Sequence, residues 1–175
     1  MFSYDPRLKG IVQRQLEERG ARTGPSERPL TTVKGTALVD LQFRAEVEGH
    51  SFISDERVSS GSHDAGPAPM RYFLASIMFC HKVWTVKSAA LADVQLDRLD
   101  SEISGYNDPT SGRPGFARIV YKVYVDSEHS DDEVRSVVEG GAQRCGVFRM
   151  VARATRIELT LEHNGKTILE KAYEE

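Results

Sequence analysis

The sequence predicts an α+β domain with mainly antiparallel strand pairing, and three observations carry that reading. Residues 39–47 and 117–125 alternate apolar and polar side chains with period two, as half-buried strands do. Asn164-Gly165 sits between two strand-like runs and tolerates the positive φ angles of a two-residue hairpin turn. Two helical segments separate pairs of strands instead of alternating with single ones, which gives the order β-β-α-β-β-α-β-β.

Taken in order, Asp5-Pro6 opens a short helical pattern with Leu8, Ile11, Val12 and Leu16 on one face. Gly20, Gly24, Pro25 and Pro29 then punctuate a flexible link. Residues 1–30 are therefore expected to form an amphipathic arm packed on a main domain of residues 31–175. In that domain Val39, Leu41, Phe43, Ala45 and Val47 face one way, Asp40, Gln42, Arg44 and Glu46 the other, as one strand. Glu48-Gly49 turns the chain into a returning strand over residues 51–54, and residues 59–69 read as a loop.

Pro69 suits the first turn of a helix, where its missing N–H costs nothing, and that helix is expected over residues 69–91. Its first half is apolar on nearly every face, which marks an enclosed, central helix. Residues 94–103 return to strand spacing, with a register change near Leu99 that suggests a bulge. Ser130-Asp131-Asp132-Glu133 is a capping box opening a second helix, which carries Val134, Val137, Val138 and Ala142 towards Cys145. A short helical piece follows Gly146. Ile157, Leu159 and Leu161 form a strand, and residues 167–171 close the sheet.

Composition removes several function classes. The 175 residues are 39% hydrophobic and 28% charged, enough for one real core and a solvated surface. A net charge of −3 lacks the basic field that a nucleic-acid partner requires. Residues 1–24 are interrupted by charges, unlike a secretory signal, so a cytoplasmic location is expected. The most apolar window, residues 72–80, is far short of the roughly 20 residues that span a bilayer, so no membrane partner is expected.

Two cysteines, Cys80 and Cys145, are the residues that could do chemistry. Buried reduced thiols behave as small hydrophobes; a redox pair is the sharper alternative, and counting does not choose between them. Cys80-His81 with His63 lacks metal-ligand spacing, and no metal or other cofactor is expected. Ser62-His63-Asp64 cannot form a hydrolytic triad, because consecutive side chains do not converge.

The stretch Ser54-Asp55-Glu56-Arg57, then Gly61-Ser62-His63-Asp64-Ala65-Gly66-Pro67-Ala68-Pro69-Met70, then an apolar helix bearing Cys80 resembles a segment of OsmC-like proteins. Gly140-Gly141-Ala142-Gln143-Arg144-Cys145 is similar to the surroundings of the family's second cysteine, with Gly146 in place of the usual Pro. The resemblance implies an intertwined homodimer in which antiparallel sheets wrap two central helices, here the helix at Pro69. It also implies a thiol peroxidase of the organic hydroperoxide resistance type. Cys80 would attack the O–O bond, Cys145 would resolve the sulfenic acid to a disulfide, and a dithiol reductant would restore both.

Only a thiolate is nucleophilic, so Cys80 needs a cation and a path to solvent. In the organic hydroperoxide resistance proteins, which the resemblance brings in, the cation is an Arg of an early strand held by a Glu at the start of the central helix. Arg44 is the candidate for that Arg, with Arg71 another. Met70 or Arg71 stands where the family has its Glu. An OsmC-fold dimer without turnover, binding a small apolar ligand or serving a structural role under stress, is the alternative.

Overall fold

The computed structural model describes residues 2–21, 24–25, 29–112 and 114–174. Residues 22, 23 and 26–28 of the expected flexible link lie outside the described residues. The chain folds as two compact units, residues 22–73 and residues 1–21 with 74–175.

The smaller unit holds a three-stranded antiparallel sheet of β1 (Lys34–Val39), β2 (Gln42–Val47) and β3 (His50–Ser54) in that order. The single strand expected over residues 39–47 is corrected here: it is a hairpin. Val39 pairs with Gln42, and Asp40 turns the chain at φ 47°, a left-handed conformation that Asp tolerates better than most residues. Nor is its apolar face buried along its length: Val39, Leu41 and Phe43 are exposed in this unit, while Ala45 and Val47 are partly buried. After β3 the chain is held by Asp55, which is buried and accepts hydrogen bonds from the Ser62 hydroxyl and the Ala65 and Glu56 amides. Burial alone would raise its carboxyl, but the Ser62 hydroxyl and the backbone amides more than reverse this and bring it to about 2. Gly66 is packed against β3 so closely that a β-carbon would lie 2.3 Å from the Ile53 carbonyl oxygen.

The larger unit is a four-stranded sheet in the order β4 (Arg98–Tyr106), β5 (Arg118–Asp126), β6 (Arg156–His163), β7 (Lys166–Tyr173). Three helices accompany it: α1 (Leu8–Gly20), α3 (Asp131–Arg144) and α4 (Gly146–Ala152). A fourth, α2 (Pro69–Ala92), runs into it from the smaller unit. β4–β5 and β6–β7 are antiparallel, whereas β5 and β6 are parallel, because α3 and α4 carry the chain back to the starting edge. Alternate residues of β5 (Ile119, Tyr121, Val123, Val125) and β6 (Ile157, Leu159, Leu161) are buried against Val134, Val138 and Ala142 of α3 and Phe148 of α4. The Ser130 capping box is present in full, with both reciprocal hydrogen bonds.

The bulge expected near Leu99 is not found. β4 pairs with β5 without interruption from Arg98↔Asp126 to Tyr106↔Arg118. Val94 and Leu96 belong instead to the connection leaving α2, where the Val94 amide donates to the Ala89 carbonyl. At the other end of the chain, Tyr4 donates its hydroxyl to the Val94 carbonyl at 3.0 Å and the Phe2 amide donates to Asp97, which seats the N-terminal residues on this unit.

Candidate functional site

Cys80 lies midway along α2, and Cys145 lies where α3 gives way to α4. α3 ends because Cys145 leaves the helical region (φ −74°, ψ 109°) and becomes the N-cap of α4. There its sulfur accepts the Phe148 amide hydrogen at 3.3 Å, a bond that fixes the thiol's direction. Two glycines bring α3 up to α2. A β-carbon on Gly140 would lie 3.1 Å from the Ser88 hydroxyl, and one on Gly141 would overlap Thr85. Thr85 follows Cys80 by little more than one turn and Gly141 precedes Cys145 by one turn, so the close approach of the helices carries the two thiols together.

The Cys80 side chain lies near enough to Cys145 to act on its thiol. Burial first, and then the neighbouring Cys80 side chain, push the Cys145 thiol up to about 12; the Phe148 and Val147 amides oppose this without reversing it. Cys145 therefore keeps its proton. Access differs in the same sense: Cys145 is 0% exposed, while Cys80 is only partly buried. A reagent from solvent meets Cys80 first.

Behind the sulfurs stands a polar group enclosed by aromatic rings. His81 is wholly buried, its Nδ1 3.1 Å from the Tyr121 hydroxyl and its Nε2 3.2 Å from the Val138 carbonyl. A carbonyl can only accept, so Nε2 carries the hydrogen and Tyr121 donates to Nδ1. Burial brings the imidazole down to about 4 and keeps it neutral. The Tyr121 phenol is pushed well up by burial, against the opposing effect of the Ser101 hydroxyl. Phe148 packs on both rings, at 5.5 Å from His81 and 6.5 Å from Tyr121.

The family model for OsmC-like proteins matches residues 61–160, more than half of the chain and both cysteines. The chain belongs to the OsmC family.

Solved structures agree with that membership at the level of fold. An OsmC-like protein from Mycoplasma pneumoniae superposes with a TM-score of 0.69 at 15% identity, over 79% of this chain and 99% of the other. An organic hydroperoxide resistance protein from Legionella pneumophila gives 0.57 at 16%, over 79% and 98%. The organic hydroperoxide resistance protein of Bacillus subtilis gives 0.54 at 16%, over 77% and 97%. No curated protein matches the chain in sequence.

Of the residues singled out in the sequence, Cys80 and Cys145 are brought together. Arg44 lies on β2 of the smaller unit and pairs with Glu46 at 3.2 Å. Met70 and Arg71, in the first turn of α2, are both exposed. Among the described residues no cluster of His, Cys, Asp and Glu could hold a metal ion, and no helix is long and apolar enough to cross a membrane.

The sequence reading did not assign the roles that three features of this OsmC-family site have in the structure. His81 is visible as a polar residue inside an apolar helix, and Tyr121 as the one hydroxyl among the inward positions of β5. Gly140-Gly141 is visible as an adjacent glycine pair inside a helix, where glycine is unfavourable unless something packs against it.

Proposed function

We propose that this OsmC-family protein is a thiol-dependent peroxidase that reduces organic hydroperoxides through Cys80, with Cys145 as the resolving thiol. The observation that carries the proposal is the placing of a partly exposed sulfur, Cys80, beside a fully buried one, Cys145, on helices brought together at Gly141 and Thr85. Attack of the Cys80 thiolate on the O–O bond forms the S–O bond and releases an alcohol. The second thiol then attacks the sulfenic sulfur, and condensation forms the disulfide and water. A dithiol reductant returns both sulfurs to the free state, the state they hold here. A cytoplasmic location belongs to the same proposal, since reducing conditions keep such a pair ready. The role of Arg44 as the thiolate's cation comes from the resemblance alone, and Arg44→Gln tests it.

The proposal includes a homodimer. On α2, Phe79 is 61% and Val83 51% exposed, one helical turn apart on the same face. Large apolar side chains in the middle of a long helix are seldom left in water, and a second copy of the chain supplies the cover. Analytical ultracentrifugation at micromolar concentration should give about twice the 19.5 kDa chain mass, and Phe79→Glu should shift it towards the monomer.

Treating reduced protein with one equivalent of cumene hydroperoxide tests the chemistry. Rapid loss of both free thiols, abolished in Cys80→Ser, is the expected result. Thiols unchanged over hours would remove the peroxidase and leave a binding or structural OsmC-fold dimer. The lack of an acid at Met70 and Arg71 is the observation that favours this second reading.

A further inference from the structure

We propose that a hollow beside the two cysteines, lined by Arg19, Trp84, Arg144, Arg149 and Arg153, is a recognition site for small organic carboxylates, and that the compounds Cys80 acts on carry such a group. The second half rests on the reading of Cys80 as the reacting thiol; the first half does not.

The hollow has a volume of about 310 Å³, room for a ring or a short chain with its acid group. Arg19 lies in the last turn of α1, Arg144 in the last turn of α3 and Arg149 in the last turn of α4, with Arg153 just beyond. A cation at a helix C-terminus has a structural use, since it offsets the unpaired carbonyls there. That use accounts for a cation on each helix end. It does not require the ends of three helices to border one hollow. Like charges gathered in one place repel, and among the described residues that line the hollow none is acidic. The chain as a whole carries a net charge of −3, so this wall runs against the general surface. Such a wall favours an anion, and a guanidinium suits a carboxylate because two parallel N–H groups meet its two oxygens.

The rest of the lining fits the body of the ligand. Leu16 and the exposed Met150 give apolar surface, and Trp84 offers an indole to stack against. Lys87 Nζ stands 4.8 Å from the centre of that ring and donates to Gln15 of α1 at 3.0 Å, so one side chain secures both the indole and α1. Trp84 lies one helical turn beyond Cys80 on the same face of α2, and Gly146, also in the lining, is next to Cys145. A short molecule held by its carboxylate therefore has its other end beside the partly exposed Cys80 thiol. The carboxylate takes no part in the bond changes at sulfur.

Two disulfide reagents that differ in charge separate binding from peroxide chemistry. 5,5′-Dithiobis(2-nitrobenzoate) carries aryl carboxylates and 4,4′-dithiodipyridine carries none; each releases a coloured thiol when Cys80 forms a mixed disulfide with it. In the double variant Arg19→Gln, Arg144→Gln the first-phase rate with the carboxylated reagent should fall about tenfold relative to that with the neutral one. Arg14→Gln, on α1 but outside the hollow, should leave that ratio as it is. In the wild-type protein, millimolar benzoate should slow the carboxylated reagent alone. A ratio unmoved in the double variant, a ratio lowered as far by Arg14→Gln, or equal slowing of both reagents by benzoate would each overturn the site. Turnover tests the substrate. Cumene hydroperoxide bearing a 4-carboxylate should be consumed faster than cumene hydroperoxide itself, and the double variant should lose that preference. Equal rates in the wild-type protein would overturn the substrate class. A protein that keeps its preference between the disulfide reagents but consumes neither hydroperoxide would sink the peroxidase reading and leave the site standing.

Discussion

A β-carbon added to Gly141 would lie 2.4 Å from the Thr85 hydroxyl oxygen and 3.0 Å from the Thr85 backbone nitrogen. No side chain can yield to relieve the second contact, since it is made with the backbone of α2. The distance between α2 and α3 is therefore set by the absence of one methyl group, and the separation of the two thiols follows from it.

Gly141→Ala should lower stability by about 1–3 kcal/mol in urea unfolding, although alanine favours a helix intrinsically. The same variant should slow disulfide formation between Cys80 and Cys145, measured as the loss of free thiols after one equivalent of cumene hydroperoxide. Unchanged stability would mean that the helices part without cost.

His81 makes stability sensitive to mild acid. Its folded value of about 4 lies below the ordinary 6.5, so between those values the unfolded chain binds a proton that the folded chain refuses. Stability is full above pH 6.5 and falls as the pH drops towards 4, by on the order of 3 kcal/mol. His81→Gln should flatten that part of the profile in urea titrations at stepped pH, whatever its effect at pH 7.

The α3 cap titrates lower. Glu133 is held at about 2 by the Ser130 hydroxyl, the Ser130 amide and His129, against an ordinary 4.5. Its contribution is complete above pH 4.5 and is lost as the pH falls towards 2. Ser130→Ala should cost about 1 kcal/mol at pH 7 and less at pH 3, as read from thermal melts.

Oxidation should also register as stability. A Cys80–Cys145 disulfide would close a loop of about 65 residues and stabilise the fold by about 4 kcal/mol on the chain-entropy account. Calorimetry of oxidised and reduced protein should show the oxidised form melting higher; equal melting would mean that the bond strains the native packing.

What the sequence disclosed depended on range. The limits of α2, the alternation of β5 and β6, the Ser130 cap and the Asn164 turn are written in residues a few positions apart, and all were legible. The turn at Asp40 was not, because alternation runs on through it unchanged and only the pairing of Val39 with Gln42 reveals the fold-back. At Leu99 an apparent change of register came from counting Val94 and Leu96, which leave α2, as part of β4. In the site, Cys80 and Cys145 drew notice as rare residues in a recognisable setting. The hydrogen bond from Tyr121 to His81 joins residues 40 positions apart, and no local pattern records it.

The parallel pairing of β5 with β6 has a consequence for synthesis. A nascent chain that ends before Arg156 can form the β4–β5 hairpin but has nothing to lay along the other side of β5. That side is an open edge next to Ile119, Tyr121, Val123 and Val125, the feature most prone to capture by a neighbouring polypeptide. The interval in which the ribosome makes α3 and α4 is thus the hazardous part of this protein's birth, and a stall there would favour aggregates over folded product.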